Sequence, residues 1–544
     1  MLAILHGYLL EGSGSNLWTR SIIQSLCKNG QTVHLVCQEN HPQIYDFITT
    51  VYIYDKEGKC GTLFERKSPW SGRCIMHKPW IGETLPVYVW DKYEEFSDVQ
   101  PMVQLNDEVI NNYLENNIRI VSQIVKDYGI VRLHANHAVL MSVVARRVAA
   151  KFNIPFAIMP HGSAIEYAVK KDKRYFNYAY SAFNDASRIY VIGKEIHQRV
   201  SNLFPDIENL EDKMTELNLG ADTTLFEPIK KSQRAQNVKK LETVLQNVPR
   251  GKSNAMTSAL LKDVNDFNTI EQLKEYIAVQ GKYTAKHTDA EAESKLKGID
   301  WDTDEIILFV GRLIASKGVH SIITSLPFVF KEYPNAKMII IGHGPLREPL
   351  EILIWALQNK YTQLVQNIIQ WARELEGTKP GPLHESAGYL KALENDGKLD
   401  DYYKIASETT SLDRIIFTGY LTHKELQYIF PASDVAVFPS VVAEAGPLVF
   451  LESLASGCFP IGTYFAGMAA SIDSIRGCIP DEDLDYMKLS PDAAQTVSDM
   501  VQRITGALAL KGKHSAALRK VAVERYDWSN ISKRFYNDLE GLDI

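Results

Sequence analysis

Two glutamates near the C-terminal end of the chain, Glu444 and Glu452, have seven residues between them. The second lies within the apolar residues 448–456, which predict a buried helix bounded by Pro447 and Gly457. A buried carboxylate is costly unless polar groups meet it, and a glutamate is a poor helix cap, so capping alone is a weak reason for Glu444. Backbone N–H groups at the start of this helix predict an anion site. The alternative is a helix with a poor cap and one surface glutamate.

The two glutamates, followed by Ser-Leu-Ala-Ser-Gly, resemble the E-x7-E signature of the retaining group 1 glycosyltransferases. The resemblance implies an α/β protein of the GT-B fold, with two Rossmann-like domains facing each other across a cleft. It also implies that Glu444 lies by the donor sugar and that Glu452 holds the ribose of the nucleotide. The residues whose backbone would meet the diphosphate are Ala445, Gly446, Pro447 and Leu448. The family usually has an aromatic residue where this chain has Ala445, which leaves the role intact and alters the shape of the sugar pocket.

A pair of cations follows another apolar strand, residues 305–310. Gly311, Arg312 and Lys317 then lead into a helix, in a pattern that matches the G-R-x4-K-G of the same family. A departing nucleoside diphosphate gains negative charge, and fixed cations stabilise that charge without a metal. Cations at a helix start are unfavourable to the helix dipole, so a purely structural explanation is poor. Arg312 and Lys317 are therefore predicted to act on the leaving group.

Three further turns are predicted to touch the donor. Residues 337–341 form a strand that leads to Gly344, near the diphosphate. Residues 413–418 lead to Tyr420, whose loop resembles the one that packs against the nucleobase through backbone groups. At the N-terminus, Gly14 and Ser15 lie in a small-residue loop that would close over the sugar and diphosphate, although a tight turn explains that loop equally well. The loop is not a full G-x-G-x-x-G, so a nicotinamide-dependent oxidoreductase is a weak alternative.

Histidines follow two predicted strands of the N-terminal half. His134, Asn136 and His137 come after a strand at 130–133, where open α/β sheets bind ligands, and we predict that they contact the acceptor. Capping of the next helix by Asn136 is the alternative, and it does not account for the histidines. His161 follows the strand at 154–160 and resembles the His-Gly motif of the family, whose histidine reaches the donor sugar or main-chain groups near the reacting carbon. The alternative is a structural histidine.

The strand and helix patterns predict two domains with additions. Residues 1–222 form the N-terminal acceptor domain, residues 223–515 the nucleotide-sugar domain, and residues 516–544 a helix that crosses back to the first domain. Aromatic strands within 45–101 predict a lobe over the cleft. Polar, helix-rich insertions at about 230–298 and 351–411 are either family-specific decoration or a partner surface, such as that of a homo-oligomer.

Composition narrows the class of protein. The 544 residues carry a net charge of −7, which argues against nucleic-acid binding. Six scattered cysteines favour a reduced, cytoplasmic protein, and no apolar stretch is long enough to span a membrane. The basic residues 170–174 leave open a phosphorylated acceptor or peripheral contact with an anionic membrane.

These patterns together predict a retaining, metal-independent hexosyltransferase with no cofactor, which uses a nucleoside-diphosphate sugar as co-substrate. No Asp-x-Asp follows a strand, which fits the absence of a metal. The acceptor is expected to be a soluble sugar, a sugar phosphate or another small polar compound. Synthesis of a cell-envelope polysaccharide or glycolipid is the alternative, followed by a nucleotide-sugar epimerase or phosphorylase of the same fold. A non-catalytic scaffold would be expected to lack one of the four charged residues of these motifs. All four are present: Arg312, Lys317, Glu444 and Glu452.

Overall fold

The chain folds into two compact units. Unit 1 comprises Met1–Gly220 and Arg525–Ile544, and unit 2 comprises Ala221–Glu524. The sequence predicts the boundaries at residues 222 and 515, whereas the chain returns to unit 1 at Arg525. The computed structural model describes residues 1–11, 14–88, 96–246, 248–280, 285–444 and 446–542.

Unit 1 is built on a nine-stranded sheet with the strand order β11-β10-β9-β8-β1-β2-β5-β3-β4. All pairs are parallel except β3 with β4, and β6 and β7 form a separate two-stranded sheet. The strands are β1 Leu2–Leu5, β2 Thr32–Val36, β3 Ile48–Tyr54, β4 Cys60–Glu65, β5 Arg73–Lys78, β6 Thr84–Val87, β7 Asp98–Pro101, β8 Arg132–Asn136, β9 Phe156–Met159, β10 Arg188–Val191 and β11 Met214–Glu216. The helices are α1 Gly14–Lys28, α2 Asp107–Tyr128, α3 Met141–Phe152, α4 Gly162–Ala164, α5 Lys173–Asp185, α6 Gly193–Leu203 and α7 Leu210–Lys213.

The central strands of unit 1 are apolar because helices cover the sheet. β1 and β9 are buried at every position, as expected for strands inside a parallel sheet. The longest helix, α2, begins where the Asn106 side chain accepts a hydrogen bond from the Val109 amide, and it ends at Gly129 in the left-handed conformation. The C-terminal helix Trp528–Glu540 also belongs to this unit, where Phe535 packs edge-on against Trp18 of α1.

The predicted lobe within residues 45–101 is wrong for its first half. β3, β4 and β5 extend the main sheet instead, because β5 pairs in parallel with both β2 and β3. The aromatic residues of this region therefore pack within the sheet: the Tyr54 hydroxyl is hydrogen-bonded to Nδ1 of His77, and the His77 ring stacks on His34. Part of the second aromatic stretch, at 89–90, lies outside the described residues.

Unit 2 contains a six-stranded, fully parallel sheet with the order β14-β13-β12-β15-β16-β17. Its strands are β12 Ile306–Val310, β13 Lys337–Ile341, β14 Ile415–Gly419, β15 Val435–Phe438, β16 Phe459–Thr463 and β17 Lys488–Leu489. Its helices are α8 Arg234–Val244, α9 Asn254–Lys262, α10 Ile270–Gln280, α11 Ala292–Lys297, α12 Val319–Glu332, α13 Arg347–Gln358, α14 Thr362–Leu375, α15 His384–Asn395, α16 Leu399–Thr409, α17 His423–Ile429, α18 Leu448–Ala455, α19 Ala466–Asp473, α20 Asp481–Leu484, α21 Ala493–Ala509 and α22 Ser515–Val521.

The two predicted insertions are helical. The first carries α8 to α11, and the second includes α14, α15, α16 and most of α13. α13 and α14 are separate helices, and Lys360 between them adopts a left-handed φ of 62°.

Burial makes unit 1 sensitive to acid. Six of its histidines have a pKa held below the ordinary 6.5, mainly by burial: His6 and His34 at about 4, His77, His134 and His161 at about 3, and His137 well below 6.5. Folded unit 1 keeps these rings neutral, whereas the unfolded chain protonates them below pH 6.5. Stability is therefore fully present above pH 6.5 and falls as the pH drops towards 4, by up to about 2 kcal/mol per ring at pH 5.

We expect amide hydrogen exchange, corrected for intrinsic rates, to speed up in unit 1 peptides between pH 7.5 and pH 5. Unit 2 peptides serve as the internal control, since burial lowers the pKa of six described histidines in unit 1 and also that of His343 in unit 2. Equal changes in protection in the two units would contradict this expectation.

Candidate active site

The loops after β12, β13 and β14 are hydrogen-bonded directly to one another at the carboxyl edge of the second sheet. The Gly311 amide donates to the Ile341 carbonyl at 3.0 Å, and the Gly342 amide donates to the Gly419 carbonyl at 2.8 Å. An added Cβ at Gly342 would overlap the Gly311 carbonyl, and one at Gly344 would overlap that of Leu313. Gly342 and Gly344 thus let the loops approach by their small size, and Gly311 joins them through its backbone amide. Contact of Gly311 and Gly344 with the donor remains a prediction.

Lys317 and Glu444 lie in contact, although 127 positions separate them in the chain. The Lys317 ammonium donates a 2.8 Å hydrogen bond to Glu444, and both side chains remain partly exposed. Their two loops are joined by the Val441 amide, which donates to the Ser316 carbonyl at 2.9 Å. The structure therefore brings together two of the predicted catalytic residues.

Glu452 lies in the middle of α18 and is 4% exposed. One carboxylate oxygen lies 2.8 Å from Nδ1 of His423, in the first turn of α17. The other oxygen, Oε2, is buried and has no hydrogen-bond partner among the described residues. The sequence predicts a polar partner for Glu452 but does not identify His423. The only sequence signal for that histidine is its position shortly after the strand at 413–418.

The start of α18 presents backbone donors. Pro447 is the N-cap and provides no side-chain cap. Its carbonyl accepts from the Phe450 amide at 3.0 Å, whereas the amides of Leu448 and Val449 have no acceptor within the helix. Gly446 precedes the cap, and Ala445 lies outside the described residues. These amides and the positive end of the helix dipole favour an anion.

Arg312, His343 and Tyr420 follow β12, β13 and β14, respectively. Arg312 is exposed, and its side chain has no hydrogen bond or ion pair within the described ranges. The ring of His343 stands edge-on to that of Tyr420, with centroids 5.5 Å apart. Burial, with the nearby cations Lys286 and Arg312, lowers the pKa of His343 to about 4, so this ring is neutral at pH 7.

In unit 1, His137 and His161 follow the adjacent strands β8 and β9, and their rings lie 4.8 Å apart. Both ring nitrogens of His137 and Nε2 of His161 are buried without a hydrogen-bond partner among the described residues. His137 adopts a left-handed φ of 72°, which is uncommon outside glycine. His6 stacks on His137 and was not identified from the sequence, although it too follows a strand, β1.

His134 and Asn136 occupy different positions from those predicted. Both lie within β8 rather than beyond it, because the strand continues to pair with β9 as far as Asn136. Asn136 donates a 2.7 Å hydrogen bond to Thr19 of α1, and His134 packs edge-on against Phe535 of the C-terminal helix. Both side chains are fully buried, so the geometry favours a structural role over contact with an acceptor.

Gly14 and Ser15 form the start of α1, next to residues 12–13, which lie outside the described ranges. A Cβ at Gly14 would meet nothing within 4 Å, so packing does not require a glycine there. The predicted contact of Gly14 and Ser15 with the donor remains a prediction.

The basic residues 170–174 are partly neutralised. Lys170 pairs with Glu166 at 2.6 Å, and Arg174 pairs with both Asp172 and Asp107 at 2.7 Å. Acids of the same surface therefore weaken this segment as a phosphate or membrane site.

In the part of the chain that is described, no helix has the length and apolar character needed to cross a bilayer, and no cluster of three side chains could hold a metal ion.

A family model described as "Glycosyl transferases group 1" matches residues 292–375 and 365–474. Residues 292–474 are therefore similar to the group 1 glycosyltransferases. This matched region contains the Lys317–Glu444 pair, Arg312 and Glu452, and it lies entirely within unit 2.

A curated relative is an uncharacterized glycosyltransferase of Methanocaldococcus jannaschii, 23% identical over 236 residues. The match covers 43% of this chain and 45% of the relative, so the chain spans less than half of that protein.

Two solved structures resemble the whole chain, not only residues 292–474. Sucrose-phosphate synthase from Thermosynechococcus elongatus is 14% identical, with a TM-score of 0.53, and the match covers 100% of this chain and 99% of that one. HepE of Anabaena in complex with UDP is 12% identical, with a TM-score of 0.51 and coverage of 99% and 100%. The likeness shows the fold, which is GT-B.

The contact between the loops of Lys317 and Glu444 depends on Gly318. This residue has a φ of +69°, and an added Cβ would overlap the Pro439 carbonyl. Gly397 offers a matched control, because its φ is +68° but nothing lies within 4 Å of the added atom. We expect Gly397→Ala to lower the free energy of unfolding by about 1 kcal/mol and Gly318→Ala to lower it by at least about 2 kcal/mol more. Urea denaturation measures both, and similar losses would mean that the loops are not in close contact.

Proposed function

We propose that the protein is a cytoplasmic, retaining glycosyltransferase that moves a hexose from a nucleoside-diphosphate sugar to a hydroxyl acceptor, without a metal or other cofactor. The observation that carries the proposal is the state of Glu452. A buried carboxylate oxygen without a partner is costly, and a hydroxyl pair such as that of a ribose would supply the missing hydrogen bonds. His423 holds the other oxygen and so fixes the carboxylate in place.

The surroundings of Glu452 fit the rest of a nucleotide sugar. Its helix starts with free amides that suit a diphosphate. Arg312 and Lys317 lie on the loop after β12, where they would stabilise the charge of the departing diphosphate. In this proposal the bond from the anomeric carbon to the phosphate oxygen breaks, and the acceptor oxygen bonds to that carbon on the same face. The acceptor proton passes to the departing phosphate oxygen, so the charges balance.

Glu444 has a positioning role in this scheme. Lys317 neutralises it and holds it in place, which makes it a poor nucleophile and a good fixed acceptor for sugar hydroxyls. We assign it to the donor sugar and do not propose a covalent intermediate.

The acceptor is proposed to be a sugar, a sugar phosphate or another small polar compound. His137 and His161 offer neutral nitrogens that can hydrogen-bond to hydroxyl groups, which suits a polyhydroxylated molecule. In the cell-envelope alternative the protein would have to bind an anionic membrane, and the basic residues 170–174 are the segment suited to that. Lys170 and Arg174 pair with acids, which weakens the attraction of this segment for a membrane.

The test is a panel of nucleotide sugars incubated with the full chain, first scored for slow release of the nucleoside diphosphate and then repeated with candidate acceptors. We expect one donor to be hydrolysed and transferred with retention of the anomeric configuration, with and without EDTA. Formation of an epimerised nucleotide sugar, or of a sugar phosphate in a phosphate-dependent reaction, would overturn the proposal.

Glu452→Gln should weaken binding of the nucleoside diphosphate about tenfold or more, because the amide can accept from a ribose with only one oxygen. Isothermal titration calorimetry measures the dissociation constant. Glu394→Gln is the matched control, since Glu394 is an exposed residue of α15 that pairs with Lys391, and it should bind as the unmodified protein does. An unchanged affinity in Glu452→Gln would remove the ribose assignment.

Lys317→Met should act mainly on turnover. Loss of one preplaced donor to the departing group lowers kcat by about 100-fold in comparable sites, and the donor KM should change by less than about tenfold. Lys317→Arg keeps the charge and should recover part of the rate. If Lys317→Met kept its kcat and changed only KM, the lysine would serve ground-state binding rather than departure of the diphosphate.

A further inference from the structure

The first insertion reaches the candidate site through residues 286–289. The Tyr420 amide donates to the His287 carbonyl at 2.9 Å, and the Asp289 amide donates to the Thr418 carbonyl at 2.8 Å. Gly419 lies between these two contacts, and an added Cβ there would come within 2.6 Å of the insertion backbone. The insertion therefore lies directly against the end of β14.

A buried group of charges fixes this segment. Asp289 is paired with Arg347 at 2.8 Å and with Lys295 at 2.7 Å. Arg347 also pairs with Glu351, which shares Lys252 with Glu348. Nearly all of these side chains are fully buried, so displacing the segment would leave buried charges unpaired, at a cost of about 3–5 kcal/mol for each broken pair.

Lys286, at the start of the segment, places a cation beside the loop after β14. Its ammonium lies 4.5 Å from the centre of the Tyr420 ring and has no carboxylate partner among the described residues. It lies, with Arg312, close enough to His343 to lower the pKa of that ring. Lys286 and Arg312, whose side chains have no carboxylate partner among the described residues, therefore both lie near the carboxyl ends of β12, β13 and β14.

The loop after β14 also leads to Glu452. Tyr420 and His423 are three residues apart, and His423 contacts the carboxylate that we assign to the ribose. A base attached to that ribose would lie within a few ångströms of the same loop. Tyr420 and Lys286 therefore have side chains that could contact the edge of the base.

We propose that Lys286 selects the nucleobase of the donor by donating a hydrogen bond to a carbonyl oxygen, which favours uracil or guanine over adenine. An ammonium group has only donors. Guanine presents O6 beside N7, and uracil presents O4, whereas adenine places an amino donor next to its N7 acceptor. The inference deepens the proposed function and rests on it, because it takes the ribose position from Glu452.

The test compares the dissociation constants of UDP, GDP and ADP by calorimetry for the unmodified protein, Lys286→Met and Lys286→Arg. Lys337→Met is the control, because Lys337 begins β13 at the opposite edge of the sheet, about 13 Å from its carboxyl end. We expect UDP or GDP to bind at least about tenfold more tightly than ADP. Lys286→Met should remove about tenfold of the affinity for the preferred nucleotide and leave ADP unchanged. Lys286→Arg should retain most of the preference.

The other possible results separate failure of the Lys286 role from failure of the proposed function. A preference for ADP in the unmodified protein, or the same three constants in Lys286→Met, would overturn the role of Lys286 and leave the glycosyltransferase proposal intact. An equal loss for all three nucleotides would also overturn it, since the lysine would then act on the shared diphosphate. If no nucleoside diphosphate binds to the unmodified protein, the proposed function itself fails.

Discussion

The loops at the carboxyl edge of the second sheet can meet only because glycines remove the side chains between them. Gly342 admits the backbone of the β12 loop, Gly318 admits that of β15, and Gly419 admits the first insertion. Backbone hydrogen bonds then fix the loops to one another, so their charged side chains start from defined positions. Such a framework places charges before a ligand arrives, and that preorganisation is the property an electrostatic catalyst requires.

Two kinds of charge are distinguishable in this unit. Asp289, Arg347, Glu351 and Lys252 are buried and satisfy one another, which is how a protein uses charges to fix its own structure. Arg312 and Lys286 have no acid partners within the described residues, and Glu452 keeps one oxygen unpaired. The first group explains why the insertion stays in place. The members of the second group lie by the loops after β12, β14 and β15, where a ligand with several anionic and hydroxyl groups would supply the missing partners.

The sequence was informative where a local pattern decides the structure. β12, β13 and α18 lie at the predicted residues, within one position, since fully buried strands and helices are read as uninterrupted apolar runs. The first half of the lobe at 45–101 and the position of His134 were wrong because strand order and strand length depend on partners that are distant in the chain. His423 and Lys286 were missed for the same reason: each matters through a contact with a residue that no spacing rule links to it. The need of Glu452 for a partner could be predicted, whereas the identity of the partner could not.

Burial of the histidines in unit 1 constrains the path of the proton in the proposed reaction. His161 has a pKa of about 3, and that of His137 is also well below 6.5, so both rings are in the neutral form at pH 7, with one N–H each, and each is a weak base. A general base is most effective when its pKa lies near the working pH, which excludes both rings from that task. Glu444 accepts a hydrogen bond from the Lys317 ammonium, and the proposed function assigns it to the donor sugar. The departing diphosphate is the remaining acceptor in the proposed scheme, and its basicity rises as its bond to the sugar breaks. We therefore infer that the leaving group itself deprotonates the acceptor, while the histidines only hold hydroxyl groups in place.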